Sequence, residues 1–143
     1  MKLFSGLTVW ALLLAAVASF VFGGVWYSAL SKQWMAAANL TKERIAAAGG
    51  ALAPTIITFF CQLFMAWMLA GIILHMAKAG IPATAVNGLI SGAFIWAGFI
   101  ATILIVSQRY QLQSWRLTLI DGGHWLGVLL IQGAILGRFG MAG

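Results

Sequence analysis

The stretch from Thr55 to Ala77 reads TIITFFCQLFMAWMLAGIILHMA, and no Lys, Arg, Asp or Glu interrupts it. A helix needs about 20 mostly apolar residues to cross the hydrocarbon core of a bilayer, and this run supplies them. Its ends are marked. Pro54 suits the first turn of a helix, where its missing N–H has no partner to lose. His75 and Lys78 fit the negative helix terminus, Gly80 suits the left-handed cap, and Pro82 blocks continuation.

Three further runs lie on either side of this one: about Phe4 to Leu30, about Ala85 to Ser107, and about Leu117 to Gly137, closed by Arg138. Composition agrees with the runs. Of 143 residues, 63% are hydrophobic and 7% charged, against roughly 45–50% and roughly 25% in soluble domains. Too little polar surface exists for a water-soluble fold, so lipid must be the solvent. The expected fold is all-α: an integral membrane four-helix bundle, with residues 1–143 as a single transmembrane domain.

The opening, MKLFSGLTVWALLLAAVASF, imitates a signal peptide, with Ala16-Val17-Ala18 as a cleavage box. The apolar run continues to Leu30, so it is read as the first span. The first connection, about Ser31 to Ala53, is the longest. Thr41 is placed to cap a short helix ending at Gly49-Gly50, and a helix lying in the interface is expected there. The other connections are short, so neighbouring spans should be antiparallel.

The net charge of +6 is thinly spread at the flanks of the apolar runs. That pattern fits contact with membrane lipids and excludes a nucleic-acid surface. With four spans, Lys2, Lys78 and Arg138 share the side of the termini, and Lys32, Lys42, Arg44, Arg109 and Arg116 share the other. The positive-inside rule then expects the long loop in the cytoplasm and both termini in the periplasm. A single cysteine, Cys61, excludes an internal disulfide and is read as a small packing residue.

Polar residues inside a membrane are costly and are functional candidates. The chain has two acids, Glu43 in the long loop and Asp121 in the fourth span. Asp121 and His124 are three apart and share a helix face, which Gln132 continues approximately. Trp26, Tyr27, Ser28, Thr58, Cys61, Gln62, Ser107 and Gln108 belong to the same half of the bundle, so a polar cluster around Asp121 and His124 is expected on the long-loop side. The candidate ligand-binding or proton-relay residues are Asp121, His124, Tyr27, Gln62, Gln108 and Trp26. Three uses compete: a structural knot in which His124 bonds Gln62 or Tyr27, a site for a polar ligand, lipid headgroup or proton, and an enzymatic base pair. No marked nucleophile supports the last, and no catalytic residue is assigned. His75 and His124 belong to opposite ends of the bundle, too far apart to clamp one haem, so neither metal nor cofactor is expected. Trp26, Trp34, Trp115 and Trp125 read as an interfacial belt rather than an aromatic ligand cage.

Small residues recur at four-residue spacing: Ala15, Ser19 and Gly23; Gly88 and Gly92; Gly123 and Gly127; Gly133 and Gly137. Such rows let backbones approach closely, here inside one bundle in preference to a dimer seam. Gly23-Gly24-Val25-Trp26-Tyr27-Ser28, then Trp34-Met35, Gly123-His124, and Gly133-Ala134-Ile135-Leu136-Gly137 form a pattern covering nearly the whole chain. It resembles the bacterial membrane protein family called domain of unknown function 1761, with Ala29 standing where a proline is expected. The resemblance implies four membrane helices and no established activity. The expectation is a non-enzymatic protein of the bacterial inner membrane that binds a lipid or small ligand, or serves as an accessory subunit, alone, as a homo-oligomer or in a larger complex. The alternative is a small transporter or proton-coupled carrier using Asp121 and His124.

Overall fold

The structure is a computed structural model that describes residues 6–141. Backbone N–H and C=O groups find no water in hydrocarbon, so apolar segments must bond internally as helices. Four helices are long and apolar enough to cross a membrane: Val9–Ala29, Leu52–Lys78, Ala85–Tyr110 and Trp115–Phe139. No strand occurs among the described residues, whose one β-bridge pairs Leu7 with Met141.

Helix α1 is Val9–Ala29. It starts later than the expected Phe4, a residue that lies outside the described ones, as does Lys2. The entry is set by a tie between the chain ends: the Thr8 N–H donates to the Gly140 carbonyl at 2.9 Å. The long connection folds as two short helices, α2 (Ser31–Ala37) and α3 (Lys42–Ala47). Thr41 caps α3 by accepting from the Arg44 N–H, and Gly49 and Gly50 take positive φ after it, as the sequence implies. Helix α2 was not legible as a separate element. It follows α1 across Leu30 alone and folds back toward the bundle.

Helix α4 is Leu52–Lys78, and Gly80 has φ +92° beyond its end. The third span comprises α5 (Ala85–Ile95), a π turn (Trp96–Ile100) and α6 (Ala101–Tyr110), three residues longer than expected. Helix α7 is Trp115–Phe139. Ser114 caps α7 by accepting from the Leu117 N–H at 3.2 Å, and its hydroxyl donates to the Ala37 carbonyl at 3.2 Å, which fastens the end of α2 to the start of α7.

Helix α7 is the most enclosed of the four spans and the third span the least. The third span therefore lies at the edge of the bundle and leans on α7. Their contact is backbone on backbone. A Cβ on Gly88 would overlap the Gly133 carbonyl, one on Gly92 the Leu129 carbonyl, and one on Gly137 the Thr84 carbonyl. The glycine rows of the third and fourth spans thus meet each other. Ala15, Ser19 and Gly23 of α1 are buried as well. Cys61 differs from its expected packing role: it is exposed on the outer face of α4.

Gly88→Val should lower the thermal midpoint of the detergent-solubilised protein, since forcing bulk against fixed backbone costs at least about 1–3 kcal/mol. Gly98, with nothing within 4 Å of an added Cβ, is the control: Gly98→Ala should leave the midpoint unchanged or slightly raised. Size-exclusion chromatography after graded heating reads both.

Candidate functional site

Asp121 lies two turns into α7, and three helices reach it. The Tyr27 hydroxyl of α1 donates to Oδ1 at 2.8 Å, the Trp34 indole N–H of α2 donates to Oδ1 at 3.2 Å, and the Gln108 amide of α6 donates to Oδ2 at 3.0 Å. All three donors are neutral. Among the described residues no Lys, Arg or His is within ion-pair distance of this carboxylate. A carboxylate offers about four acceptor positions, and three are taken.

Two more indoles grip the backbone on either side. Trp26 Nε1 of α1 donates to the Ile120 carbonyl at 3.0 Å, and Trp96 Nε1, opening the π turn, donates to the Gly122 carbonyl at 2.8 Å. Glycines make this approach possible. A Cβ on Gly123 would stand 2.8 Å from the Trp26 ring, and one on Gly127 would run into Phe22. The run Asp121-Gly122-Gly123 is thus a carboxylate followed, at Gly123, by a gap that admits the Trp26 ring.

His124, one turn further in, is 3% exposed. Its ring packs against Tyr27 at 4.8 Å and Trp125 at 4.7 Å between centroids. Its Nε2 occupies the space beside Gly23, where a Cβ would come within 2.7 Å. Nδ1 is buried without a hydrogen-bond partner. The expected bond from His124 to Gln62 or Tyr27 is therefore not formed. The histidine meets Tyr27 by ring contact alone.

Gln62 does not join the Asp121 cluster. It belongs to a second one, deeper in the bundle, with Ser19 and Gln132, all fully buried. Ser19 Oγ donates to Gln62 Oε1 at 3.1 Å, and Gln132 Nε2 donates to Ser19 Oγ and to the Gln62 carbonyl, both at 3.0 Å. Phe22 against Gly127 and the fully buried Val128 separate the two clusters. One helix face carries Asp121, His124 and Gln132, but apolar packing divides it. Ser28 and Cys61 are exposed, and Thr58 is half-buried with its hydroxyl donating to the Pro54 carbonyl at 2.8 Å; none of them joins either cluster.

Trp34 and Trp96 were not among the residues expected here. Trp34 reads as part of an interfacial belt, and its role depends on α2 turning back, which no local signal announces. Trp96 lies mid-span, where an indole N–H must find an acceptor. That need was a usable signal, though it names no partner. Two surface grooves, one lined by Val9, Leu13, Phe60 and Trp67 and the other by Ile56, Cys61 and Phe64, include no residue of either cluster. Among the described residues no group of three or more His, Cys, Asp or Glu is placed to hold a metal ion.

Four apolar helices around two internal polar knots define a multi-pass membrane bundle. The chain belongs to the family described as protein of unknown function (DUF1761), whose model matches residues 10–137. No curated protein and no solved structure matches the chain.

If the carboxylate binds these helices together, Tyr27→Phe and Asp121→Asn should not be additive. A double-mutant cycle read by denaturant unfolding in micelles should give a coupling of about 1 kcal/mol, within the range of hydrogen bonds between membrane helices. Additive effects would show that the Tyr27–Asp121 bond contributes nothing.

Proposed function

We propose that this is a non-enzymatic protein of the bacterial inner membrane that binds a polar lipid or small ligand at the long-loop end of the bundle. The observation that carries the reading is the electrostatic state of Asp121. A carboxylate at membrane depth is costly, and here neutral donors alone hold it, with one acceptor position to spare. The residue is partly exposed rather than sealed. A site of this kind still attracts positive charge from outside.

The carrier alternative requires a wet path from Asp121 and His124 to the middle of the bilayer. The packing of Phe22 and Val128 between His124 and Gln132 favours binding over transport. For orientation, the cations Lys32, Lys42, Arg44, Arg109 and Arg116 support a cytoplasmic long loop and periplasmic termini. Membrane lipids are the partners this reading requires. A second copy or a larger complex is compatible with it.

The test is lipid retention. Wild-type protein stripped by exhaustive detergent exchange should keep a stoichiometric lipid or small molecule, detected by mass spectrometry, and Asp121→Asn should lose most of it. Equal retention by both proteins would place any bound molecule elsewhere. Proton flux in proteoliposomes that Asp121→Asn abolishes would replace this reading with the carrier.

A further inference from the structure

The candidate site has a second charged member. Arg109, at the end of α6, donates from Nη2 to Thr118 Oγ1 at 2.7 Å and to the Ser114 carbonyl at 3.1 Å. Its guanidinium also lies 4.0 Å from the centre of the Trp115 ring. Both hydrogen bonds use Nη2, and Nε is buried with no partner. Both donor forks of the guanidinium include Nη2, which is already committed twice, so Nη1 is the donor left to meet an anionic oxygen.

Thr118 is three residues before Asp121 on the same face of α7, a rise of about 4.5 Å. Gln108, the chain neighbour of Arg109, donates to the other side of Asp121. Arg109 is thus anchored on α7 one helical turn before Asp121, and both residues are partly exposed. They nevertheless form no ion pair with each other. At a partly dehydrated membrane flank, two such groups are drawn together unless their neighbours hold them apart. Here Thr118 and Ser114 hold the cation, and Tyr27, Trp34 and Gln108 hold the anion.

We propose that this pair is a receptor for a zwitterionic phosphoester, with the phosphate at Arg109 and an alkylammonium at Asp121, flanked by the Tyr27 and Trp34 rings. A two-carbon ethanolamine link spans about the separation of one helical turn, and the carboxylate keeps one acceptor position for an ammonium ion. This rests on the ligand-binding reading above and names the chemistry of its ligand. The phosphoester comes either from a lipid headgroup or from a soluble ester, and the test separates the two.

Native mass spectrometry of the full chain in micelles would be titrated with phosphatidylethanolamine, with phosphatidylglycerol and N-acylated phosphatidylethanolamine of matched chains, and with soluble glycerophosphoethanolamine. Phosphatidylethanolamine should bind wild type about tenfold tighter than either anionic lipid, the scale of one charge-assisted contact. Asp121→Asn should erase that preference, because asparagine keeps the acceptor for Tyr27 and loses the charge. Arg109→Gln should weaken all three lipids together. Binding of glycerophosphoethanolamine alone, as tight as that of the lipid, would support the recognition chemistry and assign it to a soluble ester.

The comparison of acylated with free amine uses wild type only, so it stands even if a variant unfolds. Equal binding of all three lipids would overturn the zwitterion assignment and leave lipid binding intact. Absence of saturable binding by any probe would overturn both.

Discussion

In hydrocarbon no helix is driven onto another by water, because lipid tails are as apolar as the side chains they would be exchanged for. Association must come from close fit or from hydrogen bonds that lipid cannot offer. This chain divides the two along α7. Near the termini, Gly133 and Gly137 let the third span rest backbone against backbone. Near the long loop, five side chains from α1, α2 and the third span donate to residues 120–122. Between these ends lies the fully buried knot of Ser19, Gln62 and Gln132.

That division explains why tryptophan takes an unusual role here. An indole carries one donor on a large apolar body, so in lipid it satisfies itself on any available carbonyl. Helix carbonyls are normally screened by side chains of the following turn. Gly123 removes that screen just past Asp121 and Trp26 closes on the Ile120 carbonyl, while Trp96 reaches the Gly122 carbonyl from the third span. The aromatic residues that read as a belt around the bundle are, at Trp26 and Trp34, fasteners within it.

Much of the fold is legible in the sequence because bilayer thickness and end signals are local. Gly80, Pro82, Thr41 and Gly49-Gly50 bound their elements as expected, Pro54 falls within the first turn of a helix that already begins at Leu52, and the glycine rows of the third and fourth spans find each other. Tyr27 and Gln108 meet Asp121, and Trp26 the carbonyl before it, because helical rise alone sets which residues share a depth. Rise does not set rotation. Helical rise puts Gln62 and Thr58 in the long-loop half of the bundle, but Gln62 bonds deeper and Thr58 bonds back to the Pro54 carbonyl of its own helix. Likewise the fold-back of α2, which delivers Trp34, depends on the backbone at Leu30 and leaves no mark in the pattern of residues.

The π turn at Trp96–Ile100 sets the phase of the third span. In an uninterrupted α-helix each residue advances about 100°, so Gln108, twelve positions after Trp96, would point roughly 120° away from it. The two would then face different neighbours. One residue taken up by the wider turn brings the offset to about 20°. Trp96 and Gln108 can then address the same stretch of α7, the Gly122 carbonyl and the Asp121 carboxylate. The glycine contacts below the turn and the polar contacts above it are two halves of one seam, joined across a break in the helical screw.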